Sequence, residues 1–156
     1  MKIGLLVHSV TGHTLSVMKK VETALKDMGH EVELKEIKTA GKVDVGQTDV
    51  EFTENPSPAG YDAVVFGSHT EAFQLEQTMK LYLNQMEKIQ GLKTACLVTH
   101  QFPFHWMGGN GAVNKMKSIC SEKGADIMGT AVVDWSPESK RETKITDAVG
   151  YIAGLF

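Results

Sequence analysis

The sequence predicts a doubly wound α/β fold of three layers, with a five-stranded parallel sheet between helices. Continuous apolar runs at 2–7, 62–67 and 92–99 have the pattern of strands buried on both faces, and 127–135 reads as the last strand. Each of the first three leads through a loop into apolar residues at helical spacing, and the last leads into a capped helix start. Strands that alternate with helices require right-handed crossovers, which put helices on both sides of a parallel sheet.

The elements follow in order. Lys2–Val7 reads as a buried strand that ends at His8 and Ser9. Leu15, Met18, Val21, Leu25 and Met28 form one helix stripe, and Gly29 stands where a left-handed C-cap belongs. From Glu31 to Ile37, Val32, Leu34 and Ile37 alternate with charges, which predicts a strand near an edge. Residues 38–60 are rich in turn formers and cross the surface, with a short extended piece at Val50–Phe52. Asp62–Gly67 is the next strand, and Leu75, Met79, Tyr82, Leu83, Met86 and Ile89 continue as a helix. Leu92–Thr99 is followed by the long loop HQFPFHWMGGNG and a helix with the stripe Val113, Met116, Ile119 and Cys120, closed by Gly124. After the strand Ile127–Trp135, Ser136 is expected to cap a last helix with Pro137 at its first position. Ile145, Val149, Ile152 and Phe156 supply its buried face.

A chain of 156 residues suits one domain spanning 1–156. A net charge of −3 and 22% charged residues give no basic footprint for nucleic acid and no membrane-surface patch. The short N-terminal apolar run fits neither a signal peptide nor a membrane span, so a cytoplasmic protein without membrane insertion is expected. Cys96 and Cys120 lack metal or CxxC spacing and read as buried small hydrophobes.

Sheets of this class bind ligands beyond the carboxyl ends of their strands, where strand order reverses. The candidate loops therefore begin at Ser9, Ser68 and His100. The first, HSVTGHT, has no lysine, cysteine or acid. A phosphate needs none there, because a helix N-terminus offers unpaired N–H groups and a partial positive charge. Gly12 permits close approach of the backbone, and Ser9, Thr11 and Thr14 bring three hydroxyls where an ordinary cap needs one. GxxxxGK[ST] is absent, and so is GxGxxG after the first strand, which disfavours nucleoside triphosphates and dinucleotides and leaves a mononucleotide.

Ser9-Val10-Thr11-Gly12-His13-Thr14 resembles the S/T-x-T-G-x-T phosphate loop of flavodoxins, and the order of strands and helices is similar to theirs along nearly the whole chain. The resemblance, to the short-chain type, implies FMN and the strand order 2-1-3-4-5. By position it makes Ser68, His69, Thr70, Glu71, Ala72 and Phe73 the second flavin loop. The third runs from Thr99 to Gly109 and includes His100, Gln101, Phe102, Trp106, Gly108 and Gly109. Phe102, Phe104 and Trp106 are clustered aromatics able to stack on a planar ring, with Trp106 the first choice. Four histidines, His13, His69, His100 and His105, fall in these loops, and one or more of the last three is expected beside the ring. No metal is expected, because the pairs His8/His13 and His100/His105 are separated by five residues in loops and no nearby cysteine or acid completes a ligand set.

The function implied is an electron carrier in which FMN does the chemistry, passing electrons between a donor reductase and an acceptor enzyme without a catalytic side chain. The alternative is an NAD(P)H-dependent quinone or flavin oxidoreductase of the same superfamily. A phosphorylatable receiver is excluded because His8-Ser9 and Gly67-Ser68 stand where its acids belong, and the DxHxxG pattern of cobalamin domains is missing.

Overall fold

The computed structural model describes all residues, Met1–Phe156. In chain order the elements are β1 (Lys2–Val7), α1 (His13–Asp27), β2 (Glu31–Glu36), β3 (Lys38–Thr39), β4 (Phe52–Glu54), β5 (Ala63–Glu71), β6 (Gln74–Leu75), α2 (Gln77–Gln85), β7 (Lys93–His100), α3 (Gly109–Glu122), β8 (Asp126–Asp134) and α4 (Glu138–Ala153). The main sheet is parallel in the order β2-β1-β5-β7-β8, which is the predicted order 2-1-3-4-5 of its long strands.

Two apolar clusters fill the layers. Ile3, Leu5, Val7 and Val65 pack on one face of the sheet with Val17, Val21 and Leu25 of α1 and Ile145 and Ile152 of α4. On the other face, Leu6, Val64, Phe66 and Val98 meet Met79 and Leu83 of α2 and Met116 and Ile119 of α3. Successive residues of β1 and β5 thus divide between the two faces, which is why these strands read as unbroken apolar runs. Cys96 and Cys120 are both buried, as expected.

Five local readings change. Of the predicted second helix stripe, Met79, Tyr82 and Leu83 lie in α2, while Leu75 belongs to β6 and Met86 and Ile89 follow the helix end. The buried face of α1 is Thr14, Val17, Met18, Val21 and Leu25, while Met28 is exposed beyond the helix end. In the stretch 38–60, β3 and β4 pair antiparallel as a ribbon, and the extended piece lies at Phe52–Glu54 instead of Val50–Phe52. The predicted loop from Ser68 is a hairpin arm, because β5 runs on to Glu71 and turns back through Ala72 and Phe73 (φ 51° and 61°) into β6. Ser136 caps nothing: Pro137 occupies the N-cap of α4, and the Ser136 carbonyl accepts from Lys144 Nζ at 3.2 Å.

Candidate functional site

The carboxyl ends of β1, β5, β7 and β8 bring the sequence-predicted residues to one end of the sheet. At the first loop, Ser9 Oγ accepts from the N–H groups of Gly12 (3.1 Å) and Leu15 (3.3 Å), so Ser9 itself fills the capping role. Gly12 adopts φ 89°, a conformation that other residues enter only with strain. The N–H groups of Thr11, His13 and Thr14 donate to no protein acceptor. Together with the N-terminal dipole of α1 they form an anion cradle without a basic side chain.

Thr14 differs from its neighbours. Its side chain is buried and its hydroxyl bonds Thr99 Oγ1 at 2.9 Å and the Ser68 carbonyl at 3.3 Å. It therefore ties the first loop to both other loops, where the sequence suggested a hydroxyl aimed at phosphate. Val10 and Thr11 are exposed at the loop's outer side. His13, the first residue of α1, stacks on Trp135 at 4.0 Å with an interplanar angle of 9°, and the Arg141 guanidinium lies 4.8 Å from the Trp135 ring. Gln101 Nε2 reaches His13 Nδ1 at 3.3 Å.

The second and third loops meet through aromatic rings. Phe73, on the hairpin turn, stacks on Phe102 with centroids 4.9 Å apart and planes 15° from parallel. Trp106, 73% exposed, stacks on Phe104 at 6.0 Å. Gly108 approaches the hairpin so closely that a Cβ there would lie 2.9 Å from the Phe73 backbone. Gly109 begins α3 against His100 and Val132. Ser68 Oγ is fully buried with no partner. Thr70 and Glu71 are half-buried on the hairpin arm that ends at Ala72.

The histidines separate into two groups. His100 and His105 both contact Asp134 Oδ1, through Nε2 at 2.5 Å and Nδ1 at 2.6 Å, while Lys144 Nζ contacts Oδ2 at 3.2 Å. A carboxylate only accepts, so each imidazole donates, and Lys144 also donates to the carbonyls of Pro103 and Ser136. Burial raises the Asp134 pKa, but the hydrogen bonds from His100, His105 and Lys144 outweigh it and hold the carboxyl below its usual range. Asp134 is the acid that sequence reading did not find, and with the two histidines its ligand atoms lie within 4.8 Å of one another. Three such groups are a possible metal set, but Lys144 already supplies the carboxylate with a cation, and the buried His100 Nδ1 lacks the acceptor that a metal-bound imidazole normally has.

The other group is His8, His69 and Glu76. His8 Nδ1 donates to the Ile37 carbonyl at 2.9 Å, its Nε2 lies 3.5 Å from Glu76 Oε2, and its ring stacks at 5.9 Å on His69. Burial pushes the His69 pKa down, and Glu76 partly offsets this. Neither Glu76 nor Asp134 is adjacent in sequence to the histidines it serves; the available signal was that Glu76 follows the predicted second loop and Asp134 stands near the carboxyl end of the last predicted strand.

No protein-family model matches this sequence, and no curated protein does. Solved structures do match. Oxidised flavodoxin 2 from Bacillus cereus has a TM-score of 0.69 at 20% identity, with 100% of each chain covered. Streptococcus pneumoniae TIGR4 flavodoxin gives 0.67 at 17% identity, also over 100% of both chains. A flavoprotein in complex with FMN from Lactobacillus acidophilus NCFM gives 0.65 at 19% identity, covering 92% of this chain and 97% of that one. From β1 to α4, this chain has the flavodoxin fold.

Proposed function

We propose that this single domain binds FMN at the ends of β1, β5 and β7 and carries electrons in the cytoplasm between a donor reductase and an acceptor enzyme. The observation that carries the reading is the cradle of free N–H groups at Thr11, His13 and Thr14 on the N-terminus of α1. The FMN phosphate lies there, with Ser9, Val10 and Gly12 shaping the loop, and the Thr11 hydroxyl and His13 at its side.

The flavin ring lies between the hairpin arm Ser68–Phe73 and the loop Thr99–Gly109. Two parallel faces need about 7 Å between them to admit an aromatic ring, two contacts of about 3.5 Å. Phe73 and Phe102 stack on each other with centroids 4.9 Å apart, so on binding they move apart by about one ring thickness and cover the flavin from both sides. Bound FMN supplies one- and two-electron redox chemistry; the chain supplies the anion cradle, the aromatic walls and the exclusion of water. The structurally similar flavoprotein from Lactobacillus acidophilus NCFM was solved in complex with FMN, which supports the cofactor.

The test is the absorbance spectrum of the purified protein and a titration of its stripped form with FMN and with riboflavin. Flavin bands and a preference for the phosphorylated ligand are expected. Failure to bind added FMN overturns the reading.

A further inference from the structure

β8 closes one side of the sheet, and no strand pairs with its outer edge. The opposite edge, β2, is guarded by charges at Glu31, Glu33, Lys35 and Glu36 in a strand of six residues. β8 carries no charge between Asp126 and Asp134, and Ile127 to Val132 are half-buried where their partners on β7 are buried. A long uncharged edge is a template for another strand.

The ladder fixes which groups are open. Trp135 N donates inward to the His100 carbonyl, and the register with β7 is unbroken from Gly129 to Asp134. In a parallel strand alternate residues turn both main-chain groups to the same neighbour, so Ala131 and Val133 face β7, while Thr130 and Val132 point their N–H and C=O outward. None of the loop or cap hydrogen bonds reaches them. They open into a groove of about 550 Å³, with Val113 and Asn114 on its α3 side and Asp147 and Tyr151 on its α4 side. Lys144, also in the groove, is committed to Asp134 and to the carbonyls of Pro103 and Ser136. Asp147 is exposed and forms no ion pair.

We propose that the β8 edge docks an extended, basic segment of a partner protein, which joins the sheet as a further strand. Thr130 and Val132 supply the main-chain hydrogen bonds, and the period of two along the added strand sends successive side chains to the two sides of the groove. An apolar side chain packs on Val113, and a lysine or arginine meets Asp147. Charge selects the occupant: a second copy of this chain brings another Asp147 and a groove whose one cation is already committed, whereas a basic segment supplies the missing counter-charge. Neither the phosphate cradle nor Phe73 and Phe102 line the groove, so the proposal is independent of the flavin reading.

The probe is a short blocked peptide alternating valine and lysine. It is compared with a valine–glutamate counterpart and with a version N-methylated throughout, which keeps the side chains but cannot form a ladder. Titrated into the full chain labelled with ¹⁵N, the lysine peptide is expected to shift the amide signals of Thr130 and Val132 and slow their hydrogen exchange. Ala131 and Val133, already bonded to β7, should exchange as before. The N-methylated peptide should bind about tenfold more weakly and the glutamate peptide about threefold more weakly. Asp147→Lys should reverse the preference between lysine and glutamate peptides. Thr130→Pro removes one outward N–H while leaving the β7 ladder its donors, and should abolish protection at Val132; should that variant fail to fold, the N-methylated peptide puts the same question to the wild type. No binding of the lysine peptide, protection without alternation, equal binding of the N-methylated peptide, or an unchanged preference in Asp147→Lys each overturns the proposal. Self-association of the protein alone with the same alternating protection would assign the edge to a second copy and overturn it as well.

Discussion

Asp134 and His100 are the last residues of two adjacent parallel strands, directly paired in register, and His100 Nε2 donates to Asp134 Oδ1 at 2.5 Å. His105 and Lys144 complete the carboxylate's partners, so one acid pins the third loop to β8 and α4. The folded pKa of Asp134 lies below its unfolded value of about 3.9. Its stabilisation is therefore complete above that value and is lost as pH falls through the folded pKa. Asp134→Asn should cost about 2–3 kcal/mol at pH 7 and flatten the acid limb of stability. Urea unfolding between pH 3 and 7 measures both, and an unchanged acid limb would show that other carboxylates govern it.

Thr14 and Thr11 should behave differently, although both belong to one short motif. Thr14→Val leaves Thr99 Oγ1 without its 2.9 Å partner and should destabilise the fold by about 1–2 kcal/mol. It should weaken FMN and riboflavin alike, because it loosens the contact among all three loops. Thr11→Val, at an exposed position, should leave stability unchanged and weaken FMN alone. Paired titrations with the two ligands separate these roles; selective loss of FMN in Thr14→Val would return its hydroxyl to the phosphate.

Phe102→Ala removes one wall of the proposed ring site. A threefold to tenfold loss of affinity is expected, equal for FMN and riboflavin, from a stacking contribution of about 0.5–1.5 kcal/mol. Flavin fluorescence should be less quenched. Trp106→Ala, on an exposed stack with Phe104, should change both quantities less. A larger effect at Trp106 would transfer the ring contact to that side chain.

Gly108→Ala tests the closeness of hairpin and helix. At φ 104° any side chain is strained, and the new Cβ would meet the Phe73 Cα and carbonyl at 2.9 Å. A loss of about 2–3 kcal/mol is expected, with weakened flavin binding as the hairpin is displaced. Thermal unfolding and an FMN titration check this; wild-type values in both would mean that the hairpin yields freely.

The alternation of apolar runs and helical stripes was enough to determine the sheet, because burial on both faces is written in the residues of the central strands, as in Leu5, Leu6 and Val7. The first loop was legible for the same reason: Ser9 to Thr14 are contiguous, and the helix that follows dictates where their N–H groups point. The hairpin arm was not, since Ser68 to Glu71 carry no apolar alternation, and their strand exists by pairing with β7 and β6. Sequence patterns also could not show that Asp134 would sit opposite His100, that Glu76 would lie beside His8 Nε2, or that the ribbon from 38 to 54 would line a cavity next to the first loop. Those pairings depend on strand register and on which chain ends the crossovers bring to one edge. They join residues dozens of positions apart, so local periodicity carries no trace of them, and only the packed sheet decides which imidazole meets which acid.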